Sequence, residues 1–325
     1  MIGYLVRRLL YAVPILCMVN FLTFLLFFEV NTPDDMARMQ LGAKRVTAEA
    51  ISQWKREHGY DKPQYFNEAA AGTARFTDTI FFDKSVRLFA FEFGNDTDNR
   101  SIRNEILTRM WPSLALQIPV LIVGLALNIT FALGIVFFRG TYLDFWGVVT
   151  CIVAMSVSSL FYIISGQYVL SKEFALVPIS GFAGGLDAFK FLVVPAIVGI
   201  VSGIGSSTRL YRIIFLEEIS RDYVRTARAK GLSELVVLFT HVLKNAMIPI
   251  LTGVVAVIPL LFLGSLLMES FFGIPGLGSY TMDAIQAQDF SVVRSMVFLG
   301  TMLYIAGLML TDVSYTLVDP RVRFE

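Results

Sequence analysis

Charge is scarce in this chain. Only 16% of its 325 residues are Asp, Glu, Lys or Arg, while 55% are hydrophobic and the mean hydropathy is +0.65. Soluble domains carry about 25% charged and about 45–50% apolar residues. A water-soluble globule of this composition would lack polar surface, so the apolar excess must face lipid. Cysteine is scarcer still: Cys17 and Cys151 both lie inside apolar runs. That argues against a disulfide framework and for buried thiols acting as small hydrophobes. His58 and His241 are the two histidines, far apart in sequence. A His-based zinc site or Ser-His catalysis is therefore not expected. A Gly-x-x-x-x-Gly-Lys-[Ser/Thr] phosphate loop is missing, so the chain should not bind ATP itself. No catalytic, cofactor-binding or metal-ligating residue is assigned, and no nucleic-acid partner is expected. Nor is a cleavable signal peptide expected, and the N-terminal run reads as a retained first span. The run from Leu9 to Val30 is longer than a signal h-region and has no small-residue cleavage site.

Long apolar runs are what the chain does have. A helix needs about 20 apolar residues to cross the hydrocarbon core. Six segments qualify: Leu9 to Val30, Ser113 to Phe138, Trp146 to Leu170, Phe191 to Ile214, Ala246 to Met268, and Val292 to Leu317. Pro14, Pro119, Pro195, Pro249 and Pro259 fall within them. Neighbouring helices can satisfy the carbonyls that proline frees. The expected fold class is an all-α polytopic membrane protein with six transmembrane helices. Orientation follows from Lys and Arg in the short flanks. With the N-terminus inside, the cytoplasmic side holds Arg7, Arg8, Arg139, Arg221, Arg225, Arg228, Lys230, Lys244, Arg321 and Arg323. The opposite short loops hold only Lys172, Lys190 and Arg294. Both termini are then cytoplasmic, and residues 30–112 form an insertion on the far side. Its aromatics, among them Trp54, Tyr60, Phe81 and Phe93, favour an ordered insertion. Thr47 marks a helix start and Gly59 its stop.

The loop from Phe215 to Asn245 is the most informative stretch. Ser220 can cap a helix with Asp222 in its first turn. The run continues through Ala229, with Lys230 in its last turn and Gly231 placed to end it. Ser233 can cap a second short helix starting at Glu234. Such a helix suits a partner's groove; it equally suits an interfacial helix on anionic lipid.

The run Asp222-Tyr223-Val224-Arg225-Thr226-Ala227-Arg228-Ala229-Lys230-Gly231, followed by His241 to Ala246, resembles the signature loop of ABC importer permeases. The general signature is Glu-Ala-Ala, three residues, Gly, and nine more before Ile-x-Leu-Pro. Ala227 and Gly231 match it, while Arg225, Thr226, His241 and Lys244 depart from it as in the dipeptide/oligopeptide branch. Tyr4 to Leu10, Glu92-Phe93-Gly94, Gly264 to Glu269, Pro275 to Gly278 and Asp312 to Arg321 are similar to other stretches of that family. Gly59 to Pro63 and the ending resemble its Yej-type subgroup.

The resemblance implies a type I ABC importer permease fold, a single permease domain over residues 1–325 with a coupling loop at 215–245, in a bacterial inner membrane. It implies a heterodimer with a second permease subunit, two ATP-binding cassette ATPase subunits, a periplasmic solute-binding protein and a peptide substrate. Asp222, Tyr223, Arg225, Thr226, Ala227, Arg228, Lys230 and Gly231 would form the ATPase-coupling loop. ATP hydrolysis would belong to the partners, not to this chain. Gln117, Asn128, Ser156, Ser158, Ser159 and Gln167 are candidates for lining the pathway. The serines serve helix packing as readily, and Asn128 and Gln117 could instead bond to the partner permease. Asp312 is expected near the cytoplasmic end of the last span, paired with a basic residue. The turn from Phe271 to Phe290, rich in Gly and Pro, is expected either as a partly re-entrant element at the outer mouth or as a simple turn. The alternative function is a stand-alone secondary transporter or channel, which would place ionisable residues at span centres.

Overall fold

A computed structural model describes residues 2–42, 46–175 and 178–318. Among these residues no strand occurs, only an isolated bridge between Asn95 and Ser101. Five helices among the described residues are long and apolar enough to cross a membrane. They belong to α1 (Ile2–Val30), α6 (Ile102–Phe137), α9 (Ala188–Ile219), α11 (Glu234–Leu263) and α14 (Phe290–Val318). At most 33% of the apolar window of any of them is buried. Contiguous apolar surface on this scale needs lipid or a partner over it. Cys17 sits on such an exposed face, against the expectation of a buried thiol, whereas Cys151 is buried.

The third expected span is broken. It consists of α7 (Tyr142–Ser156) and α8 (Ser159–Gly166), which continues as a π-helix to Glu173, and the two halves meet at 91°. Val157 and Ser158 have extended backbone, with ψ of 131° and 143°. The sequence there has neither proline nor glycine, but β-branched Val157 is flanked by serines, which weaken a helix. The break frees the Ala154 carbonyl, and the Tyr162 hydroxyl donates to it at 2.9 Å. The carbonyl is thus not left bare in an apolar setting.

The fifth span also differs from expectation. α11 begins at Glu234, well before Ala246, and ends at Leu263 rather than Met268. Gly264 turns the chain at φ +68°, and the Ser265 hydroxyl then caps α12 (Leu266–Phe272) by accepting from the Met268 amide.

The chain divides into two compact units. One contains the residues up to Arg109 together with Tyr280–Met309. Here α2 (Pro33–Leu41), α3 (Ala48–His58) and the short α4 (Ala74–Thr77) and α5 (Ile80–Lys84) make the insertion ordered. α3 starts and stops as its sequence predicts: Thr47 accepts from the Ala50 amide, and Gly59 adopts φ +70°. Its core is aromatic. Phe24 and Phe28 of α1 stack at 4.3 Å and pack with Trp54, Tyr60 and Ile80. The buried Asn20 side chain donates to the Ser85 carbonyl at 2.9 Å, pinning the insertion to α1.

The other unit contains Met110–Ser279 and the end of α14 from Leu310. In it Asn128 of α6 accepts a hydrogen bond from Thr208 of α9 at 3.1 Å, and both are buried. Asp144 of α7 accepts two bonds from the Arg212 guanidinium, at 2.7 and 3.2 Å. Arg209 and Arg212 lie inside the span expected from Phe191 to Ile214, so that run carries charge. Arg321, Arg323 and the Asp319-Pro320-Arg321 ending lie outside the described residues.

Replacing Thr208 with Val should leave the buried Asn128 oxygen without its donor, while Thr208→Ser should keep it. The expected loss for the valine variant is about 1 kcal/mol, measured as a lower melting midpoint in detergent. Equal midpoints for the two variants would remove the importance of this pair.

Candidate functional site

The segment between α9 and α11 is built from residues that divide between two faces. α10 (Asp222–Ala229) is a two-turn helix. Val224 and Ala227, three residues apart and so on one side of it, are 0% and 5% exposed. They enter a core formed by Ala132, Leu133 and Val136 of α6, Phe215 and Ile219 of α9, and Val237, Leu238 and Val242 of α11. Asp222, Arg225, Thr226, Ala229 and Lys230 face outward. The inner side of α10 is thus a plug held by three long helices, and the outer side is free.

Polar groups lock both ends of this plug. Tyr223 donates from its hydroxyl to the Glu218 carboxylate at 2.6 Å. Burial, then that carboxylate, push the phenol up to about 12. Arg228 reaches Glu234 at the start of α11 with two bonds, of 2.8 and 3.1 Å. Arg139, in the turn after α6, donates to the same carboxylate at 3.0 Å. Glu234 therefore ties α10 to two spanning helices, a role that its spacing in the sequence does not reveal. Among the described residues Arg225 pairs with Asp222, at 3.4 Å and largely in solvent. Such an exposed pair contributes little, so both side chains stay available.

The helix start differs from expectation. Ser220 does not cap α10: its hydroxyl donates to the Glu217 carbonyl at 2.7 Å, closing α9. Arg221 is the N-cap residue, with no side-chain cap bond. Ser233 does occupy an N-cap position, again without a side-chain bond. The helix it opens is the start of α11, not a separate short one. The stop agrees: Lys230 is the C-cap and Gly231 takes φ +80°. A π-helical turn, Val237–Val242, follows in α11 and contains His241; such turns often mark functional sites.

The candidate pathway residues are dispersed. Asn128 is committed to Thr208 within this chain, and the Gln167 amide donates to the Phe271 and Ile179 carbonyls at 2.8 and 3.3 Å. The Ser156 hydroxyl turns back to the Ile152 carbonyl at 2.9 Å. Ser158 and Ser159 are exposed at the corner between α7 and α8, and Gln117 is half-buried on α6.

The turn after α11 holds a buried acid whose role the sequence did not reveal. Glu269 of α12 is 0% exposed. Its two oxygens accept from the Ser265 and Ser279 amides, each at 3.1 Å. Ser113 accepts from the Leu277 amide at 2.8 Å and gives its own proton to Glu269. Burial pushes this carboxyl up from its usual range, and the Ser113 hydroxyl and the surrounding amides pull it back. A Cβ on Gly278 would meet the Ser265 backbone at 2.5 Å, which explains the glycine. This segment is therefore two short helices, α12 and α13 (Leu277–Gln286), fastened around one acid.

Two family matches cover most of the chain. Residues 105–324 match "Binding-protein-dependent transport system inner membrane component". Residues 1–91 match the N-terminal part of such membrane components. Among similar proteins is a putative peptide transport system permease protein of Brucella abortus (strain 2308). It is 29% identical over 331 residues, covering 100% of both chains. The glutathione transport system permease protein GsiC of Salmonella typhimurium is 27% identical over 326 residues, again with full coverage of both. The oligopeptide transport system permease protein AppB of Bacillus subtilis is 27% identical over 341 residues, likewise.

Two outcomes follow from this geometry. Gly231→Ala should cost about 1 kcal/mol because an alanine at positive φ is strained, and Gly231→Asn should cost less, both read from the melting midpoint. Glu269→Gln turns one acceptor oxygen into a donor facing donors. It should cost about 1–3 kcal/mol, and an unchanged midpoint would contradict the assigned bonds.

Proposed function

The chain belongs to the family of binding-protein-dependent transport system inner membrane components, and we propose that as a permease subunit of an ABC importer it takes its drive through α10. The observation that carries this is the two-faced geometry of α10. Val224 and Ala227 seat it among α6, α9 and α11, while Arg225, Thr226 and Lys230 stay outside. A partner that grips the outer face moves the plug, and the plug moves three spanning helices at once. Glu234, bonded to Arg228 and Arg139, keeps the plug from sliding out of register. The driving partners are two ATP-hydrolysing subunits, and the permease contacts a solute-binding protein and pairs with a second permease. The loop carrying α10 and both termini then lie in the cytoplasm, and the insertion at 30–112 lies on the opposite side. The solute is a peptide, a reading supported by the names of the similar proteins.

The test uses the assembled transporter in proteoliposomes. Thr226→Trp places a large side chain on the outer face of α10 and touches nothing in the core. It should leave the melting midpoint within about 0.5 kcal/mol of wild type and abolish solute-driven ATP hydrolysis and uptake. Normal uptake by this variant sinks the coupling role. A cysteine introduced at Ser233 should be labelled only from the cytosolic side. Copurification should bring down a second permease and the ATPases; a chain that transports alone is a secondary transporter or channel.

A further inference from the structure

A cavity of about 340 Å³ lies within the first compact unit, lined by Lys84, Arg87, Asn95, Ser291 and Arg294 among others. Its wall contains a guanidinium in an unusual state. Arg294 is 3% exposed, and its Nε and Nη1 atoms have no hydrogen-bond partner. The Phe28 ring lies 5.7 Å away, and Tyr60 and Asp289 act on the guanidinium electrostatically without a hydrogen bond to it among the described residues. Lys84 is similar: its ammonium lies 4.9 Å over the Tyr60 ring, and no carboxylate comes within ion-pair distance among the described residues. Asp83 and Glu92 line the same cavity, and Asp83 and Asp289 lie near enough to act on Lys84 and Arg294, but each of these acids has its own partners. Asp83 is held by Lys62 at 2.7 Å and Arg87 at 3.3 Å. Glu92 pairs with Arg87 at 3.7 Å among the described residues. Asp289 accepts from the Ser291 and Val292 amides at the start of α14 and from Thr97.

A buried cation whose N–H groups lack acceptors is costly and is retained where something supplies the missing partner. We propose that this cavity binds the carboxylate of a small ligand, held between the Arg294 guanidinium and the Lys84 ammonium. A carboxylate matches the fork of a guanidinium and accepts from an ammonium at the same time. Asn95 and Ser291 on the same wall offer neutral polar groups beside it. Burial pushes the Lys84 amine down to about 8, helped by the nearby Arg294 charge, as expected of a cation awaiting an anion. The site does not depend on which solute the importer carries or on how α10 is driven.

Lys84 supplies the readout. The full chain in lipid nanodiscs is treated near neutral pH with an amine-acylating reagent, and modification of Lys84 is followed by mass spectrometry. Acetate tests a free acid, Ala-Ala tests a peptide terminus, and Ala-Ala amide and chloride serve as controls. A bound carboxylate raises the amine pKa by about one unit or more, so acylation should slow about tenfold. Slowing by acetate and Ala-Ala supports a site for any small carboxylate. Slowing by Ala-Ala alone supports a site for peptide ends. Equal slowing by chloride or by the amide overturns carboxylate binding, as does no slowing at all. In Arg294→Met the protection should vanish, and protection that persists removes Arg294 from the site. Should that variant not fold, the competition on the wild-type chain still decides the proposal.

Discussion

The seating of Val224 and Ala227 between α6, α9 and α11 is the contact on which the rest of the second unit depends. A two-turn helix has no stability of its own in water, because helix nucleation is costly and short helices are marginal. α10 persists because the core holds its inner side, Tyr223 is bound to Glu218, and Arg228 is bound to Glu234. The same contacts make it rigidly connected to the lipid-facing helices. An element that must be both free on one side and fixed on the other has few sequences open to it. Small or β-branched apolar residues go inward at helical spacing, and charged or hydroxyl residues go outward.

Several polar groups on the spanning helices follow a rule of the bilayer and are satisfied internally. Asn128 meets Thr208, Asp144 meets Arg212, and Tyr162 covers the carbonyl that the broken third span sets free. Each pairing joins elements that are not adjacent in sequence or closes a local break. Helices whose apolar side chains are equally content against lipid gain their register from such bonds and from close packing. Arg294 departs from this rule with a charged group, two of whose nitrogens have no hydrogen-bond partner, and it stands out for that reason as a site rather than as a strut.

Much of this was legible in the residues. Hydropathy located the apolar runs of the five long helices and of the bent pair, because lipid imposes a length and a composition that nothing else in the chain imitates. Thr47 and Gly59 delimited α3, and Gly231 marked the end of α10, since capping and positive φ are local chemistry. The bend at Val157 was not legible, because no proline or glycine announces it and the apolar run continues across it. The early start of α11 was hidden by His241 and Lys244, which read as loop residues yet sit on continuous helix. Glu269 and Glu234 were not legible either. Their partners Ser113, Ser279 and Arg139 are brought near only by the fold, and a sequence pattern reports neighbours along the chain, not across it.

Glu269 also bears on how its surroundings form. Its oxygens can leave water only when amides from both flanking turns and the Ser113 hydroxyl replace it, and a half-wrapped buried carboxylate is strongly disfavoured. The stretch from Gly264 to Ser279 is therefore an all-or-none unit: every donor arrives together or the acid stays hydrated. What looks like a pair of loose turns in a glycine-rich loop behaves as a single clasp, shut or open, with no stable position between.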